Sequence, residues 1–355
     1  MTVMQTPDKS EAKIQFTPDT LIPGKKRVLT GVKPTADLHV GNYFGAIKPC
    51  IQFSKTPGYE VILLCVDWHG LTDRAKILEP GKNSLPMLAA FVAFGFQTED
   101  HSLLLQSDFP QIQEMAWYLS CASTVGLLER AHAYKDALAS GKKPTAGLFY
   151  YPILMASDIV TFDAEVVPVG ADQAQHLEYA SDMAKLFNNA VGKNVFREPQ
   201  PMIQDVPLLI GTDGERKMSK SYDNYIPMFA PKKEVEKRIK GIKTDSAGLD
   251  DPKNPETCHI FQILKAFGSQ EAISDMKTKL ERGKGYGYGH AKMDLIQEHE
   301  RVFGGERREA YEHYLNHPAE LWAKMEPGYQ RASHYAKVVR ERAREALGLL
   351  SRGLS

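Results

Sequence analysis

Residues 60–67, which read EVILLCVD, form a short apolar run that ends in a carboxylate. A run of this length without alternation between polar and apolar side chains is typical of a strand buried on both faces of a parallel sheet. Comparable runs occur at residues 27–30, 103–105 and 164–169, and helical patterns lie between them. Because strands that alternate with helices build α/β domains, the sequence predicts a doubly wound, Rossmann-like domain with a parallel sheet.

The pattern changes after Tyr225, where apolar residues keep the spacing of helices and no strand is predicted between them. Helices are predicted at residues 232–242, 256–267, 273–280, 291–303 and 331–349. An α-helical C-terminal domain is therefore expected after the α/β domain. The predicted parts are a flexible N-terminal extension at 1–24, the α/β domain at 25–225 with an insertion at about 109–189, the helical domain at 226–330 and a C-terminal helix at 331–355.

Composition limits the partners and the location of the protein. Lys and Arg number 44, as do Asp and Glu, so a polyanion would have to be held by local basic patches rather than by net charge. The cysteines, Cys50, Cys65, Cys121 and Cys258, show no metal-binding spacing and are typical of reduced thiols in an intracellular protein. No apolar run approaches the ~18 residues of a membrane span, and residues 1–24 lack a hydrophobic signal core. We therefore expect a cytoplasmic protein.

Two short motifs lie far apart in the chain. The first, His39-Val40-Gly41-Asn42, follows a predicted strand and opens a helical pattern. Glycine leaves space for a purine or a ribose, and a helix N-terminus offers free N–H groups to phosphate. His39 and Asn42 can donate hydrogen bonds to phosphoryl oxygens. An isolated match of four residues is more often an ordinary helix start, so this motif needs support from elsewhere in the chain.

The second motif, Lys217-Met218-Ser219-Lys220-Ser221, lies in a polar loop that contains glycine and serine. Its two lysines can stabilise the negative charge that grows on a leaving pyrophosphate. A solvated basic loop is the alternative interpretation of this segment alone. A chance match to this longer motif is much rarer than a chance match to the first motif. The two motifs together favour a site that holds a nucleotide triphosphate.

The two motifs resemble the HIGH and KMSKS signatures of class I aminoacyl-tRNA synthetases. The rest of the chain resembles tryptophanyl-tRNA synthetases, in a divergent bacterial form. This resemblance begins at about Val28, and residues 147–176 carry its densest part. Further matching segments are 65–69 (CVDWH), 128–130 (LER), 134–135 (YK), 244–246 (TDS) and 283–287 (GKGYG).

The resemblance implies that ATP and L-tryptophan react, with Mg2+, to tryptophanyl-adenylate and pyrophosphate. The tryptophanyl group then passes to the 2'-hydroxyl of the terminal ribose of tRNA(Trp). No covalent enzyme intermediate is required, since nucleotidyl transfer depends on orientation and charge stabilisation. Two alternatives stay open: a tyrosine–tRNA ligase of the same class and an inactive paralogue that binds tRNA. Met155, Asp158 and residues 167–176 argue against the first, and the intact motifs argue against the second.

The resemblance also implies site residues by matching position. The catalytic group comes from the two motifs and consists of His39, Asn42, Lys217, Ser219 and Lys220. The ATP-binding group adds loop residues and consists of Lys33, Pro34, Thr35, Gly41, Asn42, Gly170, Ala171, Asp172, Leu208, Lys217, Met218, Ser219, Lys220 and Ser221. The tryptophan-binding group consists of Asp158, Met155, Tyr151, Gln173, Leu29 and Gly31. No side chain is assigned as a metal ligand.

Asp158 is the residue that would select the amino acid. It stands three residues after Met155 on a predicted helix, so both side chains share one face. From this spacing alone, an aspartate on the solvent face of an amphipathic helix is the more common interpretation. The resemblance instead implies a carboxylate that accepts the indole N–H. A buried acceptor of this kind can reject phenylalanine by roughly 10^4- to 10^5-fold, because phenylalanine leaves it unpaired. Tyrosine could also donate to it, so the exclusion of tyrosine would depend on pocket shape.

Some positions depart from the family pattern. Lys33 replaces a glutamine that many bacterial members have, and Leu29 stands where they often have an aromatic residue. Ala137 replaces an expected lysine. Some relatives hold an iron–sulfur cluster near the helical domain, but only Cys258 lies in the corresponding region, and a cluster of this kind needs four thiolates.

The resemblance further implies two macromolecular interfaces. The helical domain would bind the anticodon, with basic residues of the segment 331–344 on a helix. A charged helix is, however, more often a solvated face. The insertion at 109–189 would form a symmetric homodimer.

Overall fold

The structure of the protein is a computed structural model that describes residues 24–35, 37–73, 77–141, 143–169, 174–203 and 209–350. At residues 174–176 and 203 it describes only the backbone. Within these ranges, no helix has the length and apolar character needed to cross a membrane.

Five strands form one parallel sheet. They are β1 (Lys26–Val32), β2 (Tyr59–Cys65), β3 (Ser102–Leu105), β4 (Val166–Val169) and β5 (Gln200–Ile203). Their order in the sheet is β3-β2-β1-β4-β5. The register places Ile62 opposite Ser102, and Val166 opposite both Val28 and Gln200. Every residue of β2 after Tyr59 is buried, as the apolar run predicts. The predicted Rossmann-like α/β fold with a parallel sheet is confirmed.

Among the described residues, helices lie between the strands and also follow the last strand. They are α1 (Val40–Asn42), α2 (Lys48–Ser54), α3 (Asp67–Gly70), α4 (Glu79–Ala93), α5 (Gln111–Ala122), α6 (Val125–Glu129), α7 (His132–Ala139), α8 (Ala146–Thr161), α9 (Ala174–Val191), α10 (Lys232–Lys240), α11 (His259–Phe267), α12 (Gln270–Arg282), α13 (Tyr288–Phe303), α14 (Gly305–Asn316) and α15 (Pro318–Ala346). A helix is present at each position predicted after Tyr225, so the helical C-terminal region is confirmed.

Three elements differ from the predictions for physical reasons. The strand β5 was not predicted because it is very short and contains Pro201, which weakens the strand pattern; the strand lies at an edge of the sheet. The helix α14 was not predicted because none of its residues is buried, which removes the apolar periodicity. The helix predicted from 331 onward is part of α15, which passes through Pro327 and Gly328 without ending. The carbonyl oxygen of Gly328 accepts a hydrogen bond from the hydroxyl of Ser102 at 3.0 Å.

The described chain divides into two compact units. Unit 1 comprises residues 24–29, 108–203 and 330–350, and unit 2 comprises residues 30–107 and 209–329. In unit 1, α8 begins at a cap in which Thr145 Oγ1 accepts from the backbone N–H of Leu148 at 3.1 Å. In unit 2, the rings of Phe94 and Phe303 pack edge to face with their centroids 5.8 Å apart.

Candidate active site

The first motif is fixed by backbone pairing with the segment that follows the second motif. The N–H of Val40 donates to the carbonyl of Ile226 at 2.9 Å, and the N–H of Met228 donates to the carbonyl of Leu38 at 2.9 Å. His39 is extended, with φ −126° and ψ 166°, and directly precedes α1. The chain beyond the second motif therefore returns to the first motif and holds its backbone in place.

Gly41 brings the two motifs into contact. A Cβ atom at this position would lie 2.9 Å from two atoms of the His39 ring and 3.5 Å from Cβ of Met218. The first distance is shorter than normal packing allows, so any side chain here would displace the imidazole. Glycine is needed because the histidine of the first motif and the methionine of the second approach the same point of the backbone.

The imidazole of His39 is neutral at physiological pH. Burial, together with the smaller effect of the positive charge of Lys217, lowers the pKa of His39 to about 4. The Tyr225 ring lies beside it, with the centroids 5.8 Å apart. The Nδ1 atom of His39 is buried and has no hydrogen-bond partner among the described residues. A neutral ring in this position can donate one hydrogen bond to an anionic oxygen and adds no positive charge.

Asn42 is oriented by the backbone of the same motif. Its Oδ1 atom accepts a hydrogen bond from the N–H of His39 at 3.0 Å. Since the oxygen is used in this way, the NH2 group of the side chain remains as the donor. His39 and Asn42 thus offer two neutral donors at the start of one short helix.

In the second motif, one buried residue anchors two exposed lysines. Met218 is 2% exposed, and its N–H donates to the carbonyl of Leu209 at 2.8 Å. Lys217 and Lys220, on either side of it, are exposed. Ser219 caps a 3-10 turn at Lys220–Tyr222 through a hydrogen bond from the N–H of Ser221 to Ser219 Oγ at 3.2 Å. The anchor and the cap fix the backbone while the two cations stay accessible to a ligand.

Asn224 organises the whole lysine loop, by which we mean residues 217–224. It is 2% exposed, and its Oδ1 accepts from the N–H of Ser219 at 2.8 Å. Its Nδ2 donates to the carbonyl of Lys217 at 3.1 Å and to Asp213 Oδ2 at 3.0 Å. Asn224 was not among the predicted site residues, because its neighbouring sequence is that of an ordinary turn asparagine.

Two ion pairs restrain the lysine loop further. Lys220 donates to the carboxylate of Asp37, and this hydrogen bond raises the pKa of Lys220. Asp37 belongs to the loop before His39, and both partners of the pair are about half exposed. At the other end, Arg238 of α10 donates to Asp223 at 2.9 Å and lies over the Tyr225 ring. Neither Asp37 nor Arg238 was predicted as a site residue, since both are charged surface residues in the sequence.

The loop that precedes the first motif contains three predicted ATP-binding residues. Lys33 is exposed, Pro34 is buried and Thr35 is partly buried, and all three follow β1 directly. Gly31, at the end of the same strand, has its Cα close to Val66, where an added Cβ would lie 3.2 Å from a methyl group. Leu29, which belongs to unit 1, is 4% exposed and contributes to the core.

Three predicted tryptophan-binding residues lie on one face of α8. Tyr151, Met155 and Asp158 are spaced by one helical turn each. Asp158 is 3% exposed, which excludes the alternative of an aspartate on a solvent face. Tyr151 and Met155 are partly exposed, and burial raises the pKa of Tyr151. The remaining predicted residues lie outside the described part of the chain; these are Gly170, Ala171, Asp172, Gln173 and Leu208.

The basic residues of the C-terminal helix are engaged in ion pairs within unit 1. Arg340 and Arg344 donate to the two carboxylate oxygens of Glu114, at 2.6 and 2.8 Å. Arg342 donates to Asp163. The three arginines are therefore held by carboxylates of unit 1 and do not form a solvated basic face.

Comparison with known proteins gives the family. A sequence model described as tRNA synthetases class I (W and Y) matches residues 23–304. This chain belongs to that family of class I tRNA synthetases. A tryptophan–tRNA ligase of Campylobacter jejuni (strain RM1221) is 40% identical over 324 residues, which are 91% of this chain and 100% of the relative. The tryptophan–tRNA ligase of Fusobacterium nucleatum is 38% identical over 92% of this chain and 98% of its own.

Solved structures agree with this family assignment. The Campylobacter jejuni tryptophanyl-tRNA synthetase complexed with ADP and tryptophan is 40% identical, with a TM-score of 0.81 over 91% of this chain and 100% of that one. A tyrosyl-tRNA synthetase of Archaeoglobus fulgidus shares the fold, with a TM-score of 0.59 at 19% identity. The fold is therefore common to both substrate types, and the predicted synthetase family is confirmed.

Proposed function

We propose that this synthetase is a tryptophan–tRNA ligase. It activates L-tryptophan with ATP to tryptophanyl-adenylate and pyrophosphate, and then transfers the tryptophanyl group to the 2'-hydroxyl of the terminal ribose of tRNA(Trp). The observation that carries the activation step is the contact of the two motifs at Gly41, which brings the neutral His39 to the loop that carries the exposed Lys217 and Lys220. The choice of tryptophan is supported by the Campylobacter and Fusobacterium relatives and by the buried Asp158.

In adenylate formation, the carboxylate of the amino acid attacks the α-phosphorus of ATP, and the bond to pyrophosphate breaks. Negative charge grows on the departing pyrophosphate, and Lys217 and Lys220 carry the positive charges that stabilise it. His39 and Asn42 supply neutral hydrogen bonds to phosphoryl oxygens, which orient the triphosphate without holding the product too tightly. Thr35, Ser219 and Ser221 add hydroxyl donors. No side chain is required as a nucleophile.

Recognition of tryptophan is assigned to Asp158, Met155 and Tyr151 on α8, with Leu29, Gly31 and Gln173. The carboxylate of Asp158 would accept the indole N–H, and Met155, one turn before it, would pack against the ring. Asp158 is buried, so an amino acid without a donor at this point forgoes a hydrogen bond to a charged acceptor. This requirement excludes phenylalanine more strongly than size alone could.

Mg2+ is proposed as the companion of ATP, but the described residues do not fit a protein-held metal site. Within the described ranges there is no group of three His, Cys, Asp or Glu side chains placed to hold a metal ion. The carboxylates around the lysine loop are engaged by other side chains: Asp37 pairs with Lys220, Asp223 pairs with Arg238, and Asp213 accepts from Asn224. We therefore assign no step of the reaction to the metal.

A cytoplasmic location is proposed, as for other tRNA-charging enzymes.

The direct test is exchange of labelled pyrophosphate into ATP, with tryptophan and tyrosine compared side by side. We expect exchange with tryptophan and little with tyrosine. Exchange driven by tyrosine would instead support the tyrosine–tRNA ligase. Absence of exchange with both amino acids would support an inactive tRNA-binding paralogue. Charging of tRNA(Trp) transcripts then tests the second step, for which the helical region at 226–330 is the proposed anticodon-binding part.

The lysine loop gives a prediction about Gly211. A Cβ atom at position 211 would overlap the side chain and the carbonyl oxygen of Asn224. Gly211→Ala should therefore displace Asn224 and slow exchange by about tenfold or more, since small misplacements of positioning groups have effects of this size. The matched control is Gly81→Ala, where an added Cβ meets no atom within 4 Å. Equal exchange rates in the two variants would contradict the role given to Asn224.

The proposed homodimer gives a prediction about Trp117. Four large apolar side chains in the described part of the insertion are exposed, namely Trp117 (65%), Val125 (64%), Leu138 (52%) and Leu186 (38%). Tryptophan at the centre of an interface typically contributes about 2 kcal/mol or more, so Trp117→Asp should weaken the dimer by about 30-fold. Light scattering at micromolar concentration measures this, with Trp322→Asp, an exposed tryptophan on α15, as the control. A monomeric unmutated protein would contradict the dimer.

A further inference from the structure

A buried cluster of charges joins the C-terminal helix to the end of α8. Asp163 lies just after α8, is 1% exposed and has a left-handed backbone with φ 51°. Arg342 of α15 donates to both oxygens of this carboxylate, at 2.7 and 3.1 Å. Arg27 of β1 is also 1% exposed, and its Nη2 lies 3.9 Å from the same carboxylate. One buried carboxylate is thus shared by two arginines that come from opposite ends of the chain.

Arg27 fixes the backbone as well as the charge. Its Nη1 donates to the carbonyl of Phe162 at 2.8 Å, and its own carbonyl accepts from the N–H of Glu165 at 2.9 Å. The guanidinium lies over the ring of Tyr335, 4.4 Å from its centroid. Tyr335 and Arg342 are two turns apart on α15, so one face of that helix supplies both contacts. The turn at 162–165 is therefore held from the strand side and from the helix side.

The two elements that this cluster joins both carry proposed tryptophan-binding residues. The helix α8, which ends at Thr161, carries Met155 and Asp158. The strand β1, which begins at Lys26, carries Leu29. A bidentate pair between an arginine and a buried carboxylate is geometrically strict, so it sets the position of the helix end as well as its stability.

We propose that Arg342 is a positioning residue for tryptophan. It acts through Asp163, by holding the C-terminal end of α8 in the register that places Asp158 and Met155 for the indole ring. This inference rests on the proposed function. It gives the last helix of the chain a part in amino acid recognition, although its sequence is that of a basic surface helix.

Two neighbouring arginines of α15 provide a control that distinguishes an effect on tryptophan positioning from an effect on folding stability. Arg340 and Arg344 bind Glu114 of α5 together, so removal of Arg344 leaves Glu114 with one arginine. Arg344 anchors the same helix to the same unit without contacting the turn after α8. Its loss should lower thermal stability and leave the parameters for tryptophan unchanged.

The experiment measures exchange kinetics for Arg342→Ala, Arg342→Lys and Arg344→Ala in the full chain, with thermal unfolding of each. We expect the KM for tryptophan to rise by about tenfold or more in Arg342→Ala, with the KM for ATP within twofold of the unmutated value. Arg342→Lys keeps the charge but loses the bidentate geometry. This variant should fold and should show a smaller rise in the KM for tryptophan. If the alanine variant does not fold, the lysine variant decides the test.

A purely structural role predicts a different pattern. Both alanine variants would have lower thermal stability and a smaller fraction of active protein. The KM for tryptophan would stay unchanged in the folded Arg342 variants. This outcome would overturn the proposal. The failure of the proposed function is visible separately. If the unmutated protein shows no tryptophan-dependent exchange, the function assignment fails and this inference fails with it.

Discussion

Lys220→Ala is expected to slow tryptophan-dependent exchange of pyrophosphate into ATP by about 10^2- to 10^3-fold, the usual effect of removing one preorganised group that stabilises transition-state charge. Lys220 is exposed on the lysine loop and lies beyond the buried anchor Met218. Its charge matters most as pyrophosphate departs. The Kd for tryptophan should therefore stay within twofold of the unmutated value, because the lysine does not take part in amino acid recognition.

The fold should tolerate this substitution. Within the part of the chain that the structure describes, Lys220 forms an ion pair with Asp37, and both side chains are about half exposed. Exposed pairs of this kind contribute about 0–1 kcal/mol to stability. A fall in exchange rate without a fall in the unfolding midpoint would therefore locate the effect in the reaction rather than in folding.

Two further variants separate the charge of Lys220 from its ion pair. Asp37→Ala removes the partner and keeps the lysine, so exchange should change by no more than about fivefold. Lys243→Ala removes an exposed lysine that pairs with Glu215 at 3.5 Å and serves as the matched control for lost positive charge. If Lys220→Ala exchanges as fast as Lys243→Ala, the proposed role of Lys220 is wrong.

The parts of this structure that could be predicted from sequence depend on local patterns. The buried run of β2 marks a parallel sheet because its apolar residues are contiguous, and that prediction needs no distant partner. The two motifs could be found because their residues are adjacent in the chain. Asp158 could be proposed because it shares a helical face with Met155, although its burial became evident only in the structure.

The parts that could not be predicted depend on contacts between distant residues. Arg342 and Asp163 are 179 positions apart, and each has the local sequence of a charged surface residue. Asn224 differs from a turn asparagine only through its hydrogen bonds to Asp213 and to the backbone of the lysine loop. Long-range polar contacts of this kind leave no periodicity in the sequence, so hydrophobic patterns do not reveal them.

The second large effect is expected at Asp158. Asp158→Ala should weaken tryptophan binding by about 10- to 150-fold, since hydrogen bonds to charged groups contribute about 1.5–3 kcal/mol. Discrimination against phenylalanine should fall at the same time, because the hydrogen bond that tryptophan gains over phenylalanine is lost with the carboxylate. The KM for ATP should change little. Calorimetry with tryptophan and with phenylalanine measures both effects.

Asp158→Asn tests the negative charge of the side chain separately from its role as a hydrogen-bond acceptor. The amide keeps one oxygen that can accept the indole N–H, so the loss of affinity should be smaller than in the alanine variant. The control for the loss of an aspartate from unit 1 is Asp182→Ala, which removes an exposed carboxylate on α9. Because Asp158 is buried, thermal unfolding must accompany each binding measurement. Unchanged tryptophan affinity in a folded Asp158→Ala protein would refute the indole assignment, and selection of the amino acid would then have to come from other residues of the tryptophan-binding group.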